Sequence, residues 1–202
     1  MLEFNAERHE YRLDGTILPS VTQVLAPCYD FSMVAPAVLE RKRQIGVAVH
    51  KAIELLLADD LDEASLVPEI TGYLAGWRTF VAECGLHLAD FGAVEKPLYH
   101  QAYKYAGTPD MTVCLYGKWT VLDVKTTADL HPAVALQTVG YLELVNANTP
   151  KGQHKIVQRC ALRLLETGTY RLEGYTDKND WTTFLAMLTV HRWCEANLKG
   201  QQ

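Results

Sequence analysis

The sequence predicts an α/β protein with a mixed central β-sheet flanked by helices, and three observations carry that expectation. Two apolar β-rich runs, near 105–115 and 119–126, flank a short Gly-containing turn at Tyr116-Gly117-Lys118 and read as a hairpin. A helical stretch from Pro132 to Asn146 then leads to another β-rich run near 156–165, so the chain crosses over between strands instead of turning straight back. Helical patterns also occupy much of 32–83 and the region after 179, enough to cover a sheet on both faces.

The elements follow in order. Tyr11-Arg12-Leu13, Asp14-Gly15 and Thr16-Ile17-Leu18 read as a small hairpin, because Asp-Gly between apolar runs favours a tight turn. Ser20 is placed to cap a short helix. A long helix is expected from about Ser32 to Leu57, with Pro36 and Gly46 as points where it could break. An acidic loop from Asp59 to Glu63 precedes a helix over Pro68–Glu83, closed by Gly85. A strand near 92–99 comes before the hairpin. After the crossover strand, Glu166-Thr167-Gly168 turns into a strand over Tyr170–Tyr175, and a C-terminal helix is expected to end near Gly200. No repeat, low-complexity tract or linker divides the 202 residues, so 1–202 reads as one domain, large enough for a substantial core.

Hydrophobic content of 49% with 21% charged residues places the chain among ordinary globular proteins rather than disordered ones. No apolar run approaches the ~20 residues needed to span a bilayer. Glu3, Glu7 and Glu10, with no apolar segment near them, argue against a signal or transit peptide and for a cytoplasmic location. The five cysteines are scattered, without a CxxC pair, and suggest neither a disulfide framework nor a zinc site. A net charge of −5 is unusual for a DNA-binding protein, but carboxylates gathered for metal ions would contribute to it. Two local basic groups remain, Arg41-Lys42-Arg43 and the set Lys151, Lys155, Arg159 and Arg163; each is either a nucleic-acid footprint or a solvated face.

The chemistry concentrates in the hairpin. Asp123 and Lys125 are two apart in the apolar strand Val121-Leu122-Asp123-Val124-Lys125, so their side chains share one face. A carboxylate and an ammonium in such a strand are costly unless they are paired or bound to a metal. Asp110, in Pro109-Asp110 at the start of the first run, can bring a second carboxylate to the same place. Pro109-Asp110 followed by Asp123-Val124-Lys125 resembles the PD-(D/E)xK motif of a nuclease superfamily. The wider order is Ser20-Val21-Thr22, Gly46-x-x-x-His50, Glu95, Pro109-Asp110, Asp123-x-Lys125 and Gln137-x-x-x-Tyr141. That order is similar to the RecB-like branch, which includes phage-type exonucleases. The resemblance runs from about residue 18 to residue 141.

The resemblance implies a restriction-endonuclease-like core and a metal-dependent DNA exonuclease acting in recombination, repair or DNA end processing, bacterial or phage-encoded. Glu95, Asp110 and Asp123, joined by the Val124 carbonyl, form an oxygen-rich set suited to Mg²⁺, with Mn²⁺ as the alternative. His50 is the matching histidine for a second ion; its other reading is a satisfied histidine on an inner helix face, with Glu54 either orienting it or facing solvent. Lys125 would sit beside the hydrolytic water. Gln137 and Tyr141 would line the DNA groove or pack within their helix. Ser20 and Thr22 match an early substrate-binding motif, although capping alone explains them. Tyr29, Phe31, Tyr103, Tyr105 and Trp119 are candidates for stacking on unpaired bases. Relatives with an iron–sulfur cluster have a late group of cysteines that is missing here, so no cluster is expected. The implied partners are DNA, a single-strand annealing or recombination protein, and further copies of the chain. Two other functions stand beside the exonuclease: an endonuclease of the same fold, and a catalytically silent protein that only binds nucleic acid.

Overall fold

A computed structural model describes residues 1–153 and 155–198. The chain opens with a three-stranded antiparallel sheet of β1 (Leu2–Asn5), β2 (Glu10–Leu13) and β3 (Thr16–Leu18). The β2–β3 hairpin forms as the sequence predicts. Asp14 and Gly15 have φ of 48° and 83°, both positive as a two-residue hairpin turn of this twist requires. β1 was not expected: it is a short strand whose side chains are largely solvent-exposed, so little apolar alternation marks it.

Ser20 caps α1 (Val21–Leu25) with a full capping box. Its Oγ accepts from Gln23 N at 3.1 Å, and Gln23 Oε1 accepts from Ser20 N at 2.9 Å. The long helix α2 (Pro36–Leu57) begins with Pro36 in its first turn, where a missing N–H costs nothing, and runs unbroken through Gly46. The helix α3 (Pro68–Glu83) has the predicted limits.

The central sheet has five strands, lying side by side in the order Tyr170–Gly174, Gln158–Leu164, Lys118–Lys125, Met111–Leu115 and Phe91–Val94. They are β4 (Phe91–Val94), β7 (Met111–Leu115), β8 (Lys118–Lys125), β9 (Gln158–Leu164) and β10 (Tyr170–Gly174). A separate two-stranded ribbon pairs β5 (Leu98–His100) with β6 (Tyr105–Gly107). The expected strands near 92–99 and 105–115 are therefore each divided. Glu95 adopts φ 45° and breaks the first, and Pro109, which has no N–H for a ladder, lies in the gap of the second. The β7–β8 hairpin closes through Tyr116 and Gly117, with φ of 50° and 76°. The crossover helix α4 (Ala133–Asn148) joins β8 to β9, which pair in parallel; the other pairings in this sheet are antiparallel. The last helix, α5 (Asn179–Asn197), is closed by Leu198, close to the expected end near Gly200, a residue that itself lies outside the described ones.

Both faces of the sheet are covered. Leu122 and Val124 of β8 and Leu162 and Leu164 of β9 pack with Val49, Ile53, Leu74, Trp77 and Phe80 of α2 and α3. On the other face Val121 packs with Val21 and Val24 of α1, Leu144 of α4 and Phe184 of α5. Each such fully buried side chain contributes roughly 1.5–3 kcal/mol. Because α3 rides close over the β9–β10 turn, a Cβ on Gly72 would lie 1.9 Å from the Glu166 carbonyl oxygen. Strand alternation puts Asp123 and Lys125 on the α4 face and Val124 on the α2 face.

Candidate metal centre

At the C-terminal end of β8 the chain gathers charge from five places. α2 delivers His50; Gly46, one turn earlier, lies against the loop after β8, where an added Cβ would be 3.5 Å from Thr126 Oγ1. The β4–β7 pairing shifts register between Phe91 and Val94, and the Ala93 N–H finds the Thr112 hydroxyl at 3.1 Å. Glu95 follows this irregularity in its left-handed conformation, held by its N–H to the Asp110 carbonyl at 2.8 Å. A non-glycine residue in that region carries local strain, which recurs at ligand-binding positions.

His50 Nδ1 lies 3.4 Å from Glu95 Oε1 and 3.5 Å from Asp110 Oδ1, and its Nε2 lies 3.1 Å from the Val124 carbonyl oxygen. Asp110 Oδ2 accepts from the Val124 N–H at 2.6 Å. Ligand atoms of His50, Glu95 and Asp110 all fall within 4.8 Å of one another, close enough to hold one cation. Of the expected ligands, Glu95, Asp110 and His50 meet in this cluster with the Val124 carbonyl beside His50; Asp123 is not one of the three, although the Asp110 carboxylate and His50 act on it. Asp123 is completely buried on the α4 face, with Lys125 Nζ at 2.6 Å from Oδ2. Among the described residues, neither Asp123 oxygen accepts a well-aligned hydrogen bond.

The fields of these groups interlock. Burial alone would lower the His50 pKa, but the Asp110 carboxylate, and then the hydrogen bond to Glu95, outweigh it and raise it to about 9. Burial pushes Asp123 up to about 6, against the pull of Lys125. Asp110 is likewise raised, by burial, with His50 and Lys125 opposing. Lys125 would be lowered by burial, but Asp123 and Asp110 raise it, so it stays an ammonium. An oxygen-rich cluster with one imidazole suits a hard divalent ion, Mg²⁺ or Mn²⁺.

The other expected site residues divide. Gln137 and Tyr141 are both buried on α4 and bond to each other, Nε2 to Oη at 3.3 Å. Burial raises the Tyr141 pKa, and Asp123 and Asp110 are near enough to raise it further, so this pair backs onto the charged cluster. Ser20 is buried in its capping role, and Thr22, exposed, bonds to Ser20 and to His9. Glu54 pairs with Lys51 at 2.9 Å instead of orienting His50. Tyr105 belongs to the core, its hydroxyl donating to the Gly140 carbonyl. Trp119 is the second residue of β8, toward the opposite end of that strand from Lys125. Tyr103 packs edge-on against Trp181 of α5. Tyr29 stands near the site: burial raises its pKa, with Lys125 and Asp123 acting on it; it stacks on Phe31, and its ring centroid lies 4.5 Å from that of His131, the two rings tilted by 40°. His131 carried no expectation; nothing in its sequence context marks it.

The basic groups are largely occupied. Arg41, Lys42 and Arg43 pair with Glu69, Glu166 and Glu40. Arg159 is buried, and its guanidinium bonds the Ala135 and Asp177 carbonyls, the Thr138 hydroxyl and the Asp180 carboxylate. It ties β9 to α4 and α5 and is structural. No helix among the described residues is long and apolar enough to cross a membrane. In comparisons with known proteins, no family model matches the chain, and no curated protein matches it.

Proposed function

We propose that the chain is a metal-dependent DNA nuclease, acting as an exonuclease in recombination or end processing, on a restriction-endonuclease-like core. The observation that carries this reading is the meeting of His50, Glu95 and Asp110 with the buried Asp123–Lys125 pair at one end of the central sheet. The antiparallel β4–β7–β8 unit, followed by a crossover helix and the parallel β9, supports the core assignment.

Glu95, Asp110 and His50 would hold Mg²⁺ or Mn²⁺, with the Val124 carbonyl and Asp123 at its border. Such an ion, when bound, supplies charge neutralisation on a phosphodiester and activation of water. The residues themselves do the rest. Lys125, kept protonated by Asp123 and Asp110, acts as a fixed positive charge that orients the attacking water and stabilises the crowded phosphate, rather than as a base. Asp123, ionised above about pH 6, holds the Lys125 ammonium in place. His50 must give up its proton before its nitrogen can serve as a ligand. The Gln137–Tyr141 pair forms a wall on the α4 side.

End-labelled linear DNA and covalently closed circles, each incubated with Mg²⁺, Mn²⁺ or chelator, test this reading. Linear DNA should be shortened progressively while circles survive, and only with metal. Linearised circles or discrete fragments would instead favour an endonuclease of the same fold. Binding without any cleavage would favour a silent nucleic-acid-binding protein.

A further inference from the structure

The last two residues of the basic set Lys151, Lys155, Arg159 and Arg163 share a strand and a face but not a fate. Arg159 and Arg163 are four apart on β9, so both project to the α4 side of the sheet. Arg159 is saturated by its four partners, as described above. Arg163 is the Cα partner of Lys125 in the parallel β8–β9 ladder, which sets it beside the ammonium on the same face. Its side chain is only 11% exposed, and its Nε is buried with no hydrogen-bond partner among the described residues. Its guanidinium is anchored by Nη1 to Asp129 Oδ1 at 2.7 Å. Asp129 is 94% exposed, on the loop between β8 and α4.

A surface carboxylate in water is a weak counter-ion. A guanidinium fork offers five donors and fits a phosphate by two parallel bonds. The geometry points to Arg163 as a binding residue for a backbone phosphate of the nucleic-acid substrate, adjacent to the one at Lys125, with Asp129 as the acceptor that gives way to it. This rests on the nuclease reading and adds to it a substrate-positioning group outside the metal cluster. Arg163 releases the Asp129 carboxylate to solvent and turns its fork, including the partnerless Nε–H, to the phosphate oxygens. No bond is made or broken in that exchange.

The test uses fluorescence anisotropy with a short labelled DNA duplex in Ca²⁺, across a salt series. Arg163→Gln should bind roughly tenfold more weakly, with the salt slope reduced by about one, since one phosphate contact is lost. Its Mn²⁺ affinity should match the wild type, because Arg163 is no metal ligand. Asp129→Asn alters only an exposed side chain and should bind DNA more tightly, which decides the matter even where Arg163→Gln does not fold. Wild-type affinity and slope in Arg163→Gln, or weaker binding by Asp129→Asn, would overturn the assignment. Metal-dependent cleavage by the wild-type protein is measured in parallel. Cleavage alongside an unchanged Arg163→Gln isotherm removes this proposal alone, whereas neither cleavage nor binding removes the nuclease reading and this proposal with it.

Discussion

On the proposed metal assignment, the raised pKa of His50 should make the stability of the metal-free protein depend on pH in a direction opposite to that of the protein with metal bound. In chelator, the folded imidazole titrates at about 9 and the unfolded one near its ordinary 6.5. A proton held more tightly in the folded state stabilises it fully below pH 6.5, and that stability is lost as pH rises through 9. The gap corresponds to roughly 3 kcal/mol. For a domain of this size, 1 kcal/mol moves the melting temperature by roughly 2–4 °C. The metal-free protein should therefore melt roughly 10 °C lower at pH 9.5 than at pH 6.5. His50→Gln, which keeps a polar side chain without a titrating ring, should lose most of that slope and so subtracts the contribution of every other group. With saturating Mn²⁺ the sign reverses, because the ion competes with the His50 proton and gains affinity as pH rises. Calorimetric melting of both proteins, with and without metal, measures all four slopes. Equal pH slopes for the wild type and His50→Gln in chelator would refute the charge arrangement described for His50, Glu95 and Asp110.

Further expectations follow from single contacts. Asp110→Ala should abolish measurable Mn²⁺ binding by titration calorimetry, since it removes one of three clustered ligands and leaves the Val124 N–H without its acceptor. Arg159→Met should lower stability by roughly 3–5 kcal/mol in denaturant melts, because it strands a carboxylate and two carbonyls that Arg159 satisfies. Gly72→Ala should cost about 1–3 kcal/mol by the same assay, as its methyl group meets the backbone of Glu166. Tyr141→Phe should leave the fold intact and reduce cleavage by less than Lys125→Ala, because Tyr141 is held within its own helix through Gln137.

How much of this was legible in the sequence depended on the range of the interaction that decides each element. The β7–β8 hairpin could be read because its turn residues, its alternation and the Asp123-x-Lys125 pair are all local. The helix over Pro68–Glu83 carried its own start and stop. The division of the strand near 92–99 was not legible: Glu95 takes a left-handed backbone because its N–H is held by Asp110, fifteen residues away. The place of Asp123 outside the three-residue cluster is a matter of strand faces. Asp123 shares a strand with Val124 but faces the other side of the sheet, so a motif that places Asp123 next to Asp110 in the reading does not place its carboxylate in the His50 cluster. Arg159 and Arg163 looked alike in sequence because both sit among basic neighbours. Only the packing of α4 and α5 over β9 separates the saturated guanidinium from the one with a donor to spare. Ser20 could be read correctly as a cap, since a capping box is complete within four residues.

Lys125 is proposed to serve hydrolysis as a fixed charge and to take no part in metal binding. The most direct test is the rate at which Lys125→Ala cleaves labelled linear duplex in saturating Mn²⁺, with Mn²⁺ binding checked on the same sample. The expected result is wild-type metal affinity with cleavage reduced by roughly a hundredfold or more, the scale on which loss of one electrostatic group acts in a closed site. Cleavage at close to the wild-type rate by a variant that still binds the ion would contradict the account.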